Sequence, residues 1–241
     1  MTNFGFLLID KPAGITSHDV VDKLRRITGI KKIGHAGTLD PFATGLLIVA
    51  IGRDATKEIS KFVGMDKEYV AEIVIGASTE TLDSESEVSR VSRVAKVAKD
   101  AKDDVEKAMK SLVGTYGQIP PMYAAIKVKG KKLYELARQG KEIEREPREV
   151  TISAFELIDG IKHEDDLIIA NARIKCSSGT YIRALARDLG EKLGTKAYLR
   201  NLRRTSIGEY KVADAHQLDQ IKPADYWLLY TEHQVDDSQT S

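Results

Sequence analysis

Cysteine, long apolar runs and an excess of charge of one sign are all scarce here, and each shortage removes a class of protein. The single cysteine, Cys176, allows no disulfide within the chain, fits a reducing cytoplasm and excludes a cysteine-based zinc cluster. No stretch approaches the roughly 18 uninterrupted apolar residues of a membrane-crossing helix. The N-terminal M-T-N-F-G-F-L-L-I-D-K lacks the basic lead and long apolar region of a secretory signal. Histidines are few and scattered (His18, His35, His163, His216, His233), with no ligand spacing, so no metal is expected. A nucleotide-type glycine loop is also missing, and no cofactor is expected. With 37 Lys and Arg against 36 Asp and Glu, net charge alone does not point to a nucleic-acid partner.

What is present is ordinary in amount and uneven in place. Hydrophobic residues at 42% and charged residues at 30% suit a globular enzyme. From Arg173 to Thr205 there are nine Lys/Arg against two Asp/Glu, whereas from Val212 onward one lysine faces six acids. Such segregation makes a basic face that attracts phosphate backbones, or simply a solvated surface. Residues 118–150 hold eight Lys/Arg and the tyrosines Tyr123 and Tyr134, the mixture that looped RNA needs, since charges hold phosphates and rings stack bases.

Periodicity gives a mixture of strands and helices without regular alternation, hence α+β with a mixed, mostly antiparallel sheet. A strand over Phe4–Ile9 precedes a helix that starts with a Thr16/Asp19 capping box, buries Val20, Val21, Leu24 and Ile27, and stops at Gly29. A buried strand follows at Leu46–Ile51, a helix at about Ala55–Phe62, and a strand at Lys67–Ile75 with Tyr69, Ala71, Ile73 and Ile75 on one face. Residues 78–100 read as a polar loop, and Val105, Ala108, Met109 and Leu112 mark a helix closed by Gly114. Extended chain is expected over Met122–Val128, a helix over Lys132–Gln139, and strands at Glu149–Ile158 and Leu167–Cys176. A helix over Tyr181–Leu193 follows, with Arg183 and Arg187 off its buried face, then a strand at Thr205–Val212 and a short helix at Pro223–Leu229.

The most informative stretch is G-H-A-G-T-L-D-P-F-A-T-G-L-L, Gly34 to Leu47. Proline after Asp40 keeps that aspartate out of the helical region, and the following apolar run anchors the loop. A carboxylate on a glycine-lined loop beside a core strand suits catalysis; an ordinary Asp-Pro turn fits the local pattern equally.

This stretch resembles the signature loop of the TruB family of tRNA pseudouridine synthases. Four further segments resemble the same family in the same order: D-K-P-A-G-I-T-S (10–17), K-E-Y (67–69), P-P-M-Y-A-A-I-K-V-K-G (120–130) and C-S-S-G-T-Y-I-R (176–183). The resemblance spans roughly residues 4 to 212 and implies the pseudouridine synthase fold, a bent mixed sheet flanked by helices, with an RNA-binding thumb at about 120–150. It implies a catalytic domain over 1–212 and a C-terminal extension over 213–241, too short for the PUA-type domain of many relatives. It further implies isomerisation of uridine 55 in the tRNA T stem-loop, with Asp40 as nucleophile. Arg183 would keep Asp40 ionised and placed, or hold an RNA phosphate. Tyr69 would stack on the flipped uracil, or be a half-buried strand tyrosine. His35, Lys57, Tyr181 and Leu199 are carried over as substrate-binding residues, His35 otherwise being polar surface. Lys127, Lys129, Arg200, Arg203 and Arg204 are candidate phosphate contacts, and Lys11 and Pro12 are structural where the loop is entered. A role in tRNA folding, a monomer without obligate protein partner, and no membrane association complete the expectation.

Overall fold

The computed structural model describes residues 5–90, 101–123, 127–128, 131–132 and 143–221. The helix expected over Pro223–Leu229 lies outside these residues, as does most of that expected over Lys132–Gln139. Along the chain come β1 (Gly5–Lys11), α1 (Ser17–Thr28), β2 (Ile33–Ala36), β3 (Thr44–Ile51), α2 (Arg53–Lys57), α3 (Ile59–Val63), β4 (Lys67–Ile75), β5 (Ala77–Thr79) and β6 (Val88–Arg90). They are followed by α4 (Ala101–Ser111), β7 (Gly114–Gln118), β8 (Lys127–Val128), β9 (Lys131–Lys132), β10 (Arg148–Glu164), β11 (Leu167–Cys176), α5 (Ile182–Lys192), β12 (Ala197–Ile207), β13 (Tyr210–Lys211) and β14 (His216–Gln217). Residues divide into two compact units, one of 1–65 with 203–241 and one of 66–202.

In the first unit β3 is central. Its run Leu46–Ile51 is almost wholly buried because β1 pairs along one edge, antiparallel from Gly5↔Ile51 to Lys11↔Gly45. The other edge is taken by β2, Ile33↔Ile51 to Ala36↔Ile48, and by Arg203 and Arg204, parallel to Thr44 and Gly45. Glycine at 45 is obligatory, since φ is +104° and a Cβ there would lie 2.2 Å from the Arg204 carbonyl oxygen. Val20, Val21 and Leu24 of α1 pack with Leu7, Ile9, Leu47 and Val49, and Leu218 and Ile221 join the same cluster. Residues 213–221, expected as an extension beyond the domain, are therefore part of this core: β14 runs parallel to β1 at Ile9↔His216, and two apolar side chains three positions apart turn inward.

The start of α1 follows its sequence closely. Thr16 accepts from the Asp19 amide at 3.1 Å, Asp19 accepts from the Thr16 amide at 2.7 Å, and Gly29 closes the helix in the left-handed region. Those hydrogen bonds hold the Asp19 carboxyl below its ordinary value, so the stability it contributes is present above the usual carboxylate range and lost as pH falls through it. Thr16→Ala is expected to cost about 1 kcal/mol, read as a fall of roughly 2–4 °C in the unfolding midpoint.

The second unit has strand order β12-β4-β11-β10-β7, with antiparallel ladders linking β4 to β11 and β11 to β10. Strand β4 alternates as expected: Tyr69, Ala71 and Ile73 are buried while Glu68, Val70 and Glu72 are partly exposed. Val105, Ala108 and Met109 of α4, and Leu112 just after it, are buried. The thiol of Cys176 is buried in β11, which pushes its pKa up to about 11.

Several local expectations are corrected. The single helix over Ala55–Phe62 is two short ones meeting at Glu58, which ends one and begins the other. The loop expected from Gly34 opens only at Gly37, because Ile33–Ala36 pairs with β3. Residues 77–90 contain an antiparallel pair, β5 with β6, where a loop was expected. The final strand begins eight residues earlier than Thr205, at Ala197. Arg183 is only 6% exposed and points into the protein, not away from the buried face of its helix.

Candidate active site

In the first unit, Asp40 sits half-buried where the loop between β2 and β3 turns. Its carbonyl oxygen accepts from the Ala43 amide at 3.1 Å, with Pro41 second in the turn, so the Asp-Pro turn of the local reading is the backbone geometry found. Three buried side chains fix that loop through its backbone. Ser17 Oγ accepts from the Leu39 amide at 2.9 Å and donates to the Leu39 carbonyl at 3.1 Å. Lys11, fully buried, donates Nζ to the carbonyls of Pro12 and Ile15 at 2.8 Å and of Pro41 at 3.3 Å. Arg204, 1% exposed, donates Nε to the Leu46 carbonyl at 2.7 Å and Nη2 to the Gly37 carbonyl at 3.1 Å. A turn tied on both flanks in this way presents its carboxylate without the entropy cost of ordering a free loop.

That arrangement reassigns Arg204. Expected as a phosphate contact, it is instead an internal brace, buried with its donors on backbone carbonyls. Arg203 is partly accessible but engaged, gripping Asp10 through both nitrogens at 2.9 and 2.7 Å, while Gln217 adds a bond to the same carboxylate at 3.0 Å. His35 lies on β2, and its Nδ1 has no hydrogen-bond partner among the described residues. Burial, then the nearby Arg204 charge, lowers its pKa, so the ring is neutral at neutral pH. Lys57 is exposed on α2 and pairs with Asp54 at 2.7 Å.

In the second unit, Arg183 stands in the first turn of α5. A cation there opposes the helix dipole, and the surroundings compensate. Nη1 donates to Asp83 Oδ2 at 3.1 Å and to the Thr81 carbonyl at 2.9 Å, and Nη2 to the Tyr123 carbonyl at 2.9 Å. Asp83 is 1% exposed and also accepts from the Glu85 amide at 3.0 Å and the Thr81 hydroxyl. It sits in a tight turn where Leu82 adopts φ +62° and the Leu82 carbonyl accepts from the Leu199 amide at 3.1 Å. Leu199, expected to line a uracil pocket, is fully buried beside this turn.

Tyr181 caps α5 from outside, its amide donating to Gln118 Oε1 at 2.9 Å and its carbonyl accepting from Gln118 Nε2 at 3.2 Å. Tyr69 is 7% exposed on β4. Arg200 pairs with Glu164 at 2.8 Å and Glu72 at 3.4 Å, which leaves it a weaker phosphate donor than its sequence suggests. Lys127 belongs to β8, paired with β9, and Lys129 lies outside the described residues. The structure thus brings Arg183, Tyr123 and Leu199 around Asp83, a residue that sequence reasoning passed over inside a polar run. No group of His, Cys, Asp or Glu among the described residues could hold a metal ion, and no helix among them is long and apolar enough to cross a membrane.

Comparison with known proteins decides what these residues belong to. The model of the TruB family pseudouridylate synthase N-terminal domain matches residues 25–182, and that of the tRNA pseudouridylate synthase B C-terminal domain matches residues 183–239. The chain belongs to the TruB family. It is 45% identical to the tRNA pseudouridine synthase B of Leifsonia xyli subsp. xyli over 96% of this chain and 76% of that one. Against the protein of the same name from Desulfotalea psychrophila it is 47% identical, over 88% and 85%. Among solved structures, a Cbf5-Nop10-Gar1 complex matches with TM-score 0.65 at 28% identity, covering 94% of this chain and about half (55%) of that one. The fold is accordingly the α+β pseudouridine synthase fold, and the TruB-family chain is an isomerase that makes pseudouridine in tRNA.

Proposed function

We propose that the target is uridine 55 in the T arm, and that Asp40 is the nucleophile. The isomerisation detaches uracil at N1 and rejoins it to the sugar through C5, with the C5 hydrogen leaving to solvent and N1 gaining a proton. A covalent adduct keeps the fragments together while the base turns, and a carboxylate both attacks and leaves readily. The observation that supports Asp40 is its presentation on a turn clamped through Leu39, Pro41, Gly37 and Leu46 by three buried side chains. Tyr69 and Arg183 are its catalytic companions in this reading. The target must be turned out of its stack at a cost of a few kcal/mol, offset by contacts from His35, Lys57, Tyr181, Lys127, Lys129, Arg200 and Arg203. Arg204 and Leu199 act from inside, by fixing the Asp40 loop and the Asp83 turn.

The same contacts would let the protein open and refold the tRNA elbow, and it would act as a monomer without cofactor. The test is tritium release from C5-labelled tRNA transcript by the purified chain alone, with the modified position mapped. A single pseudouridine at position 55 is expected. Modification elsewhere, or activity only on adding another protein or a guide RNA, overturns this reading.

A further inference from the structure

Of the exposed cations of the first unit that have no ion-pair partner among the described residues, four, Arg26, Lys31, Lys32 and Arg53, lie around the end of α1 and the start of α2. Backbone bonds gather them. Arg25 at the end of α1 donates Nε to the Lys31 carbonyl at 3.2 Å and Nη2 to the Ile33 carbonyl at 3.3 Å, folding the chain after the helix back onto its last turn. The Gly52 amide donates to the Lys32 carbonyl at 2.8 Å, which sets the start of α2, and Arg53, beside Lys32. The nearby acids have closer partners: Asp22 pairs with Arg25 at 2.8 Å, Asp54 with Lys57 at 2.7 Å and Glu58 with Lys61, while Asp19 is bonded to Thr16; Arg26 and Arg53 reach Asp19 and Asp54 only through space. Like charges gathered without ion-paired acids of their own repel and lower stability, an arrangement that a polyanion reverses. Arg53 and Lys57 are four apart on α2, hence neighbours on one face, so the patch continues into a residue already read as a substrate contact.

We infer that this patch docks the sugar–phosphate backbone of the tRNA at a distance from the reacting base. The intervening strand β2 has four residues, which places the patch about 10 Å or more from the opening of the Asp40 loop. Its contribution is sequence-independent affinity, in keeping with recognition of RNA by shape and phosphates. This rests on tRNA being the substrate, and that premise is checked separately by the activity of the unaltered protein.

The experiment neutralises the four together (Arg26→Gln, Lys31→Gln, Lys32→Gln, Arg53→Gln) and compares the variant with one lacking four cations of the second unit (Lys102→Gln, Lys107→Gln, Lys110→Gln, Lys162→Gln). Filter binding of tRNA over a salt series and initial rates are measured for both. The patch variant is expected to bind on the order of 10-fold more weakly. Its slope of log affinity against log salt should fall by about one for each phosphate that is no longer neutralised. The rate loss should appear in KM. Unchanged affinity and slope, an equal loss in the second variant, or a loss confined to kcat overturns the inference.

Discussion

Asp40→Asn is expected to abolish tritium release from C5-labelled tRNA, by on the order of 10⁴-fold or more, while tRNA binding persists. The substitution keeps size and shape and removes the carboxylate charge proposed to act as nucleophile. Folding should be spared, because asparagine serves as well as aspartate at the head of such a turn. The clamps from Lys11, Ser17 and Arg204 also reach backbone carbonyls and an amide of the loop, which the substitution leaves in place. Retained turnover in this variant would remove the proposed chemistry. Retained refolding of tRNA without turnover would separate the folding role from catalysis.

The second large effect concerns Asp83. Removing its carboxylate by Asp83→Ala takes a buried counter-charge from the Arg183 guanidinium, which is 6% exposed. Breaking such a pair from one side costs about 3–5 kcal/mol, measurable as a drop in the urea midpoint. Replacing both partners with apolar residues, as in Asp83→Leu with Arg183→Met, should recover most of that stability, since burying neither charge avoids the desolvation penalty. Activity should not recover. In Asp83→Ala protein that remains folded, turnover should fall roughly 10²-fold, the effect of a misplacement of about 1 Å at a group with the catalytic role proposed for Arg183. Equal stability losses in the single and double variants would show that the ion pair is not what holds Arg183.

How much of this was legible in the sequence depended on the distance over which each signal acts. The capping box at Thr16 and Asp19, the stop at Gly29 and the strand at Leu167–Cys176 are local patterns, and they stand as read. Strand β12 was misread because Arg200, Asn201, Arg203 and Arg204 interrupt its apolar alternation. One of these, Arg204, is buried through bonds to carbonyls 158 and 167 positions away. No local rule marks an arginine as interior when its partners are remote backbone oxygens. Asp83 was invisible for the same reason: its partner Arg183 is 100 positions away, and its own neighbours look like a solvated loop. The Asp40 loop was recognised from its motif, but what steadies it was only partly foreseen, in Lys11.

The pairing of Ile9 with His216 and of Asp10 with Arg203 has a consequence for biosynthesis. The first unit draws its strands from two stretches far apart in sequence, whereas residues 66–202 of the second are contiguous. On the ribosome the contiguous portion can complete its contacts early, while the cluster of Leu7, Ile9, Val20 and Leu24 still lacks Leu218 and Ile221. Contacts separated by some two hundred positions close slowly, and the nascent chain would be prone to aggregation until residues 203–221 have emerged.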